Sequence, residues 1–72
     1  MTEAELEFVI FCIENIAMYL GKNGNEVYKA FTESSSLLYD YIVANYGVLH
    51  TQGKDYIIED ILTVAKERGV KI

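Results

Sequence analysis

Residues 6–20 read LEFVIFCIENIAMYL, and this stretch governs how the chain must pack. Its only charged or amide side chains are Glu7, Glu14 and Asn15. At about 100° per residue, Leu6, Val9, Ile10, Ile13, Ile16, Ala17 and Leu20 gather on one side of a helix. Phe8, Phe11, Cys12, Met18 and Tyr19 gather on another, and Glu3, Glu7 and Glu14 form an acidic seam between the two. A helix resting on a small core needs one apolar stripe. This one carries two, so the second must be covered by the rest of the chain or by a partner.

The first helix is expected over residues 3–20. Thr2 and Glu5 have the spacing of a capping box, in which each side chain satisfies an orphan backbone N–H. The early glutamates suit the positive end of the helix dipole, and Gly21 is a natural stop. A second, shorter helix is expected over 26–33, capped by Asn23 or Asn25, with Val27, Ala30 and Phe31 at i, i+3, i+4 spacing. The serines at 34–36 break it and offer a new cap. A third helix is expected over 37–46, with Leu38, Tyr41, Ile42 and Tyr46 on one face and Gly47 ending it. Residues 48–53 make a short connector, open to an extended conformation, with Val48 and Leu49 turned inward. The fourth helix is expected over 55–68, its stripe built from Ile57, Ile58, Ile61, Leu62, Val64 and Ala65. Asp55 and Glu59 at its start and Lys66 and Arg68 at its end match the dipole. The expected fold class is therefore all-α: a compact bundle of about four helices forming a single domain over residues 1–72.

Size sharpens the question of cover. A single core in a chain below roughly 70–80 residues rarely supplies more than ~3–5 kcal/mol, and such chains usually draw on disulfides, metal or association. With one cysteine and one histidine, neither an internal disulfide nor a closed zinc site is available. Association remains, and an apolar content of 51% supports it. The net charge is −5, with no Lys or Arg before Lys22. Such a balance is poorly suited to nucleic acid, whose binding rests on neutralising phosphates, and to anionic membrane surfaces. The start of the chain lacks the basic region and cleavage site of a signal peptide, and the apolar run is too short to span a bilayer. A lone thiol suits a reducing compartment, so a cytoplasmic location is expected.

Few constellations could carry chemistry. His50 sits in the connector LHTQG, where imidazole, Thr51 hydroxyl and Gln52 amide either tie the loop down and cap the fourth helix or contact a ligand. Cys12 lies among Phe8, Phe11, Ile13 and Ile16, the setting of a buried small hydrophobe rather than a reactive thiol. The 6 tyrosines suit half-buried core edges and interfaces alike. Asp55, Glu59 and Asp60 read as a solvated helix start in preference to a metal site. A helix-turn-helix built on LLYDYIVANY would lack any Arg or Lys for phosphate contact.

The stretches EFVIFCIENIA, VYKAF, DYIVANYGVLHTQG, YIIEDI and the closing RGV resemble a family of small bacterial domains of unknown function. The most distinctive part is YGVLHTQGKDYIIED, from Tyr46 to Asp60. The resemblance covers nearly the whole chain. Some members of that family are encoded beside a second small family similar to ADP-ribosyltransferases, and this neighbourhood implies a partner or antidote role. Together these features point to a non-enzymatic protein–protein interaction module, a homo-oligomer or the small partner of another bacterial protein, without cofactor or metal. The contact is expected at Phe8, Phe11, Met18 and Tyr19. The alternative is a small-ligand or catalytic site around Tyr46, His50, Thr51, Gln52 and Asp60.

Overall fold

A computed structural model describes residues 1–72. It contains α-helices α1 (Glu3–Leu20), α2 (Gly24–Thr32), α3 (Tyr46–Leu49) and α4 (Lys54–Glu67), with a π-helix, Leu38–Val43, between α2 and α3. No residue is in a strand. The all-α fold expected from the helical periodicities is the one that forms, with principal extents of 26 × 21 × 21 Å.

The start of α1 is fixed by the capping box. The Thr2 hydroxyl oxygen accepts from the Glu5 N–H at 3.1 Å, and the Thr2 N–H donates to Glu5 Oε1 at 2.8 Å. Its end is fixed by Gly21, whose φ of 68° is a left-handed conformation that a side chain would strain. Asn23 caps α2 by accepting the Glu26 N–H at 2.9 Å, so this helix begins earlier than the expected residue 26. The serines do end α2: the Ser35 hydroxyl donates to the Ala30 carbonyl at 2.8 Å. Ser35 also offers a long contact to the next helical segment, its hydroxyl oxygen accepting the Leu37 N–H at 3.4 Å, while Leu37 at the N-cap of the π-helix supplies no side-chain bond.

The expected third helix over 37–46 is corrected in two ways. Its first part is wound as a π-helix that ends at Val43. Gly47, expected to end it, lies inside the separate turn α3, which takes up the first two residues of the 48–53 connector. Of the pair expected inside, Leu49 is buried and Val48 is 67% exposed. Gly53 stands at the N-cap of α4 with no side-chain bond, so the His50 connector does not cap that helix.

α1 is the axis of the molecule and packs on α2, the π-helix and α4. The innermost side chains are Cys12, Ile16, Val27, Phe31, Leu37, Leu38, Ile42 and Ile61. No polar or charged residue is buried among them. The bundle takes its share of α1 from both expected faces: Val9, Ile13, Ile16 and Ala17 from one, Phe8 and Cys12 from the other. At about 100° per residue these cover an arc of about half the helix circumference, centred opposite the acidic seam. Phe8, expected at a contact surface, is thus a core residue at 9% exposure.

Candidate functional site

With the core filled, α1 still shows apolar side chains to solvent. Glu3, Glu7 and Glu14 run along its outward face, all exposed. Leu6 (49% exposed) and Ile10 (47%) flank them on one side, Phe11 (38%) and Met18 (78%) on the other. Asn15, on the same helix, donates its amide to the Phe11 carbonyl at 2.8 Å. Its polar group is thereby drawn onto its own helix. Tyr19, 70% exposed, stands with Met18 at the edge of a shallow 260 Å³ groove shared with Lys54, Asp55 and Ile58 of α4. Of the residues expected at a contact, Phe11, Met18 and Tyr19 are therefore outward, while Phe8 is not.

The residues expected for a ligand site divide into separate clusters. Tyr46 and His50 stack face to face, with centroids 4.3 Å apart and planes 7° from parallel. Tyr46 also meets Phe8 edge-on at 5.5 Å, and Phe8 stacks on Phe11 at 6.3 Å. An aromatic ladder thus runs from the outward flank of α1 through the core edge to the connector. His50 Nδ1 lies 2.7 Å from the Tyr46 carbonyl oxygen. A carbonyl only accepts, so Nδ1 carries a proton and donates it to this bond. The Thr51 hydroxyl donates to the Val48 carbonyl at 2.7 Å, and Gln52 Nε2 lies 3.4 Å from Thr51 Oγ1. These contacts tie the connector down on itself.

Asp60 belongs elsewhere. It accepts the Tyr41 hydroxyl at 2.6 Å, a bond that joins α4 to the π-helix. That bond, helped by burial, pushes the Tyr41 phenol up to about 12. Beside it, Arg68 bonds Asp40 and lies over the Tyr41 ring at 5.7 Å. Asp40 also accepts the Ser36 hydroxyl at 2.6 Å. The Ser36 hydroxyl, then the Arg68 guanidinium, hold the Asp40 carboxyl below its usual range. This cluster latches the two helices together. Cys12 is fully buried, and burial pushes its thiol up to about 12, the behaviour of a small hydrophobe. Asp55, Glu59 and Asp60 do not gather with other acids, His or Cys into a ligand group.

A larger groove of about 680 Å³ opens where the C-terminal ends of α1 and α4 meet the start of α2. Sequence reasoning missed it, because its walls come from residues 20–26 and 62–72, far apart along the chain. A partial clue was the placement of every cation from Lys22 onward.

The arrangement is that of a small all-α domain whose longest helix keeps an acid-lined, partly apolar face outside the bundle. The chain belongs to the family described as a protein of unknown function (DUF3791), whose model matches residues 7–68. No curated protein and no solved structure matches it. No helix is long and apolar enough to cross a membrane.

Proposed function

We propose that this protein is a cytoplasmic interaction module that docks a basic amphipathic helix of another protein on the outward face of α1. The observation that carries it is the exposure of Leu6, Ile10, Phe11 and Met18 on both sides of Glu3, Glu7 and Glu14 after the chain has packed its own core. Apolar anchors supply most of the affinity in such contacts. Rim ion pairs, at roughly 0.2–1 kcal/mol each, select orientation and partner. The occupant is a basic partner rather than a second copy, because α1 has no cation of its own. Two such faces brought together would set carboxylates against carboxylates. An antidote-like role beside an ADP-ribosyltransferase-like protein, as the family resemblance implies, falls within this proposal. A ligand site at Tyr46, His50, Thr51 and Gln52 has less support, since His50 Nδ1 and the Thr51 hydroxyl are already bonded within their own turn.

The test is titration of an isotope-labelled sample with a designed leucine–lysine helix, read by amide shifts. Shifts concentrated on Leu6, Ile10, Phe11 and Met18, weakened by salt and lost in Phe11→Asp and Met18→Glu variants that melt like the parent, are expected. Absence of shifts on this face would refute the proposal. So would light scattering that finds a dimer disrupted by those same variants, which would make the occupant another copy.

A further inference from the structure

We infer that the groove between the ends of α1 and α4 is a binding site for a free single-chain carboxylate, such as a medium-chain fatty acid. This site is independent of the outward face of α1. Its volume of about 680 Å³ lies in the range of small-molecule pockets, roughly 300–1,000 Å³. Its apolar lining is aliphatic, from Leu20, Leu62, Ala65, Val70 and Ile72. Lys22, Lys66 and Lys71 line the same groove, and Glu26 is its one acidic side chain. Glu26 pairs with Lys22 at 3.8 Å, whereas Lys66 and Lys71 have no acidic partner. In a chain of net charge −5, this groove is therefore locally cationic.

Lysines are common near helix C-termini because they complement the dipole and bond the last carbonyls. Here backbone N–H groups do the bonding. Lys22 N–H closes onto the Ala17 carbonyl at 2.9 Å and Val70 N–H onto the Ala65 carbonyl at 2.8 Å. With neither ammonium in an ion pair, Lys66 and Lys71 remain available to an incoming anion. An aliphatic floor with ammonium groups beside it matches a carboxylate head and a hydrocarbon tail. A peptide bound by strand addition would need an open strand edge, and the fold has none.

The full chain, isotope-labelled, is titrated with decanoate below its micellar concentration, with decanol and decyltrimethylammonium in parallel. Decanoate is expected to shift the amides of Leu62, Ala65, Val70 and Ile72 and to bind more tightly than decanol. Lys66→Ala and Lys71→Ala are each expected to weaken decanoate about two- to fivefold, the range of one exposed ion pair, and to leave decanol unchanged. Both sites are on the surface or in the tail, and unchanged far-ultraviolet circular dichroism confirms that the variants fold. No shift up to the solubility limit would overturn the inference. Equal binding of all three amphiphiles would do so too. Co-sedimentation with phosphatidylglycerol vesicles without decanoate binding would reassign the lysines to a lipid surface.

Discussion

Ile16→Val and Ile10→Val are the same chemical change on the same helix, and the two should differ sharply. From sequence periodicity the two isoleucines share a face. In the structure Ile16 is 0% exposed and Ile10 is 47% exposed. Removing a fully buried methylene costs about 0.8 kcal/mol in transfer alone. A partly relaxed cavity raises that toward the upper part of the ~0.5–1.5 kcal/mol range for Ile→Val, so about 1.2 kcal/mol at Ile16. At Ile10 about half the transfer term applies and no cavity forms, giving about 0.4 kcal/mol. Both residues are β-branched before and after the change, so helix propensity cancels between the two variants. The difference of about 0.8 kcal/mol should lower the melting temperature of Ile16→Val by about 3–6 °C more than that of Ile10→Val, at about 4–8 °C per kcal/mol for a domain this size. Thermal melts followed by far-ultraviolet circular dichroism, with urea titrations to check that the slope is unchanged, measure it. Equal losses would mean that α1 is rotated from the position described, and the division of its two apolar faces would fall with it.

The buried Cys12 thiol should resist a disulfide-exchange reagent in the native protein and react fully once urea unfolds it; fast labelling of the folded chain would contradict its placement in the core. Folding stability should also fall in alkali. Cys12 and Tyr41 are pushed up to about 12 from ordinary values of 9.0 and 10.0, so the folded state favours their neutral forms. That contribution is whole below those ordinary values and fades as pH climbs toward about 12. Tyr41→Phe should flatten part of the decline in urea titrations across this window, and a variant as pH-sensitive as the parent would remove Tyr41 as a cause. The lowered Asp40 carboxyl acts with the opposite sign: its contribution is present above the usual 3.8 and is lost as pH falls below it. Asp40→Asn should therefore be less sensitive to acid than the parent when the two are compared by the same titration.

The helices with strong local cues were legible in the sequence. Thr2, Glu5 and Gly21 mark the ends of α1, and the isoleucines of α4 recur at helical spacing. The π-helix was not legible, since Leu38 and Ile42 fit an ordinary helix equally well. Among its tertiary ties is the Tyr41–Asp60 bond, which reaches across 19 residues of chain. The face of α1 was half legible. Periodicity finds both apolar arcs, yet which residues the bundle covers depends on where α2, α4 and the π-helix land. Phe8 moved inward for that reason: Tyr46, far along the chain, packs edge-on against its ring. Asp60 followed His50 closely in sequence, but α4 turns it toward the π-helix and away from the connector.

An interior made wholly of hydrocarbon and one thiol has no directional bond to tell one packing from a near neighbour. The discriminating contacts here are polar and peripheral: the Tyr41 hydroxyl on Asp60, and Arg68 on Asp40. Related chains should therefore be free to exchange aliphatic side chains within the core while the rim keeps the architecture distinct. Losing those rim contacts should yield a protein that stays folded but samples more than one arrangement of its second half.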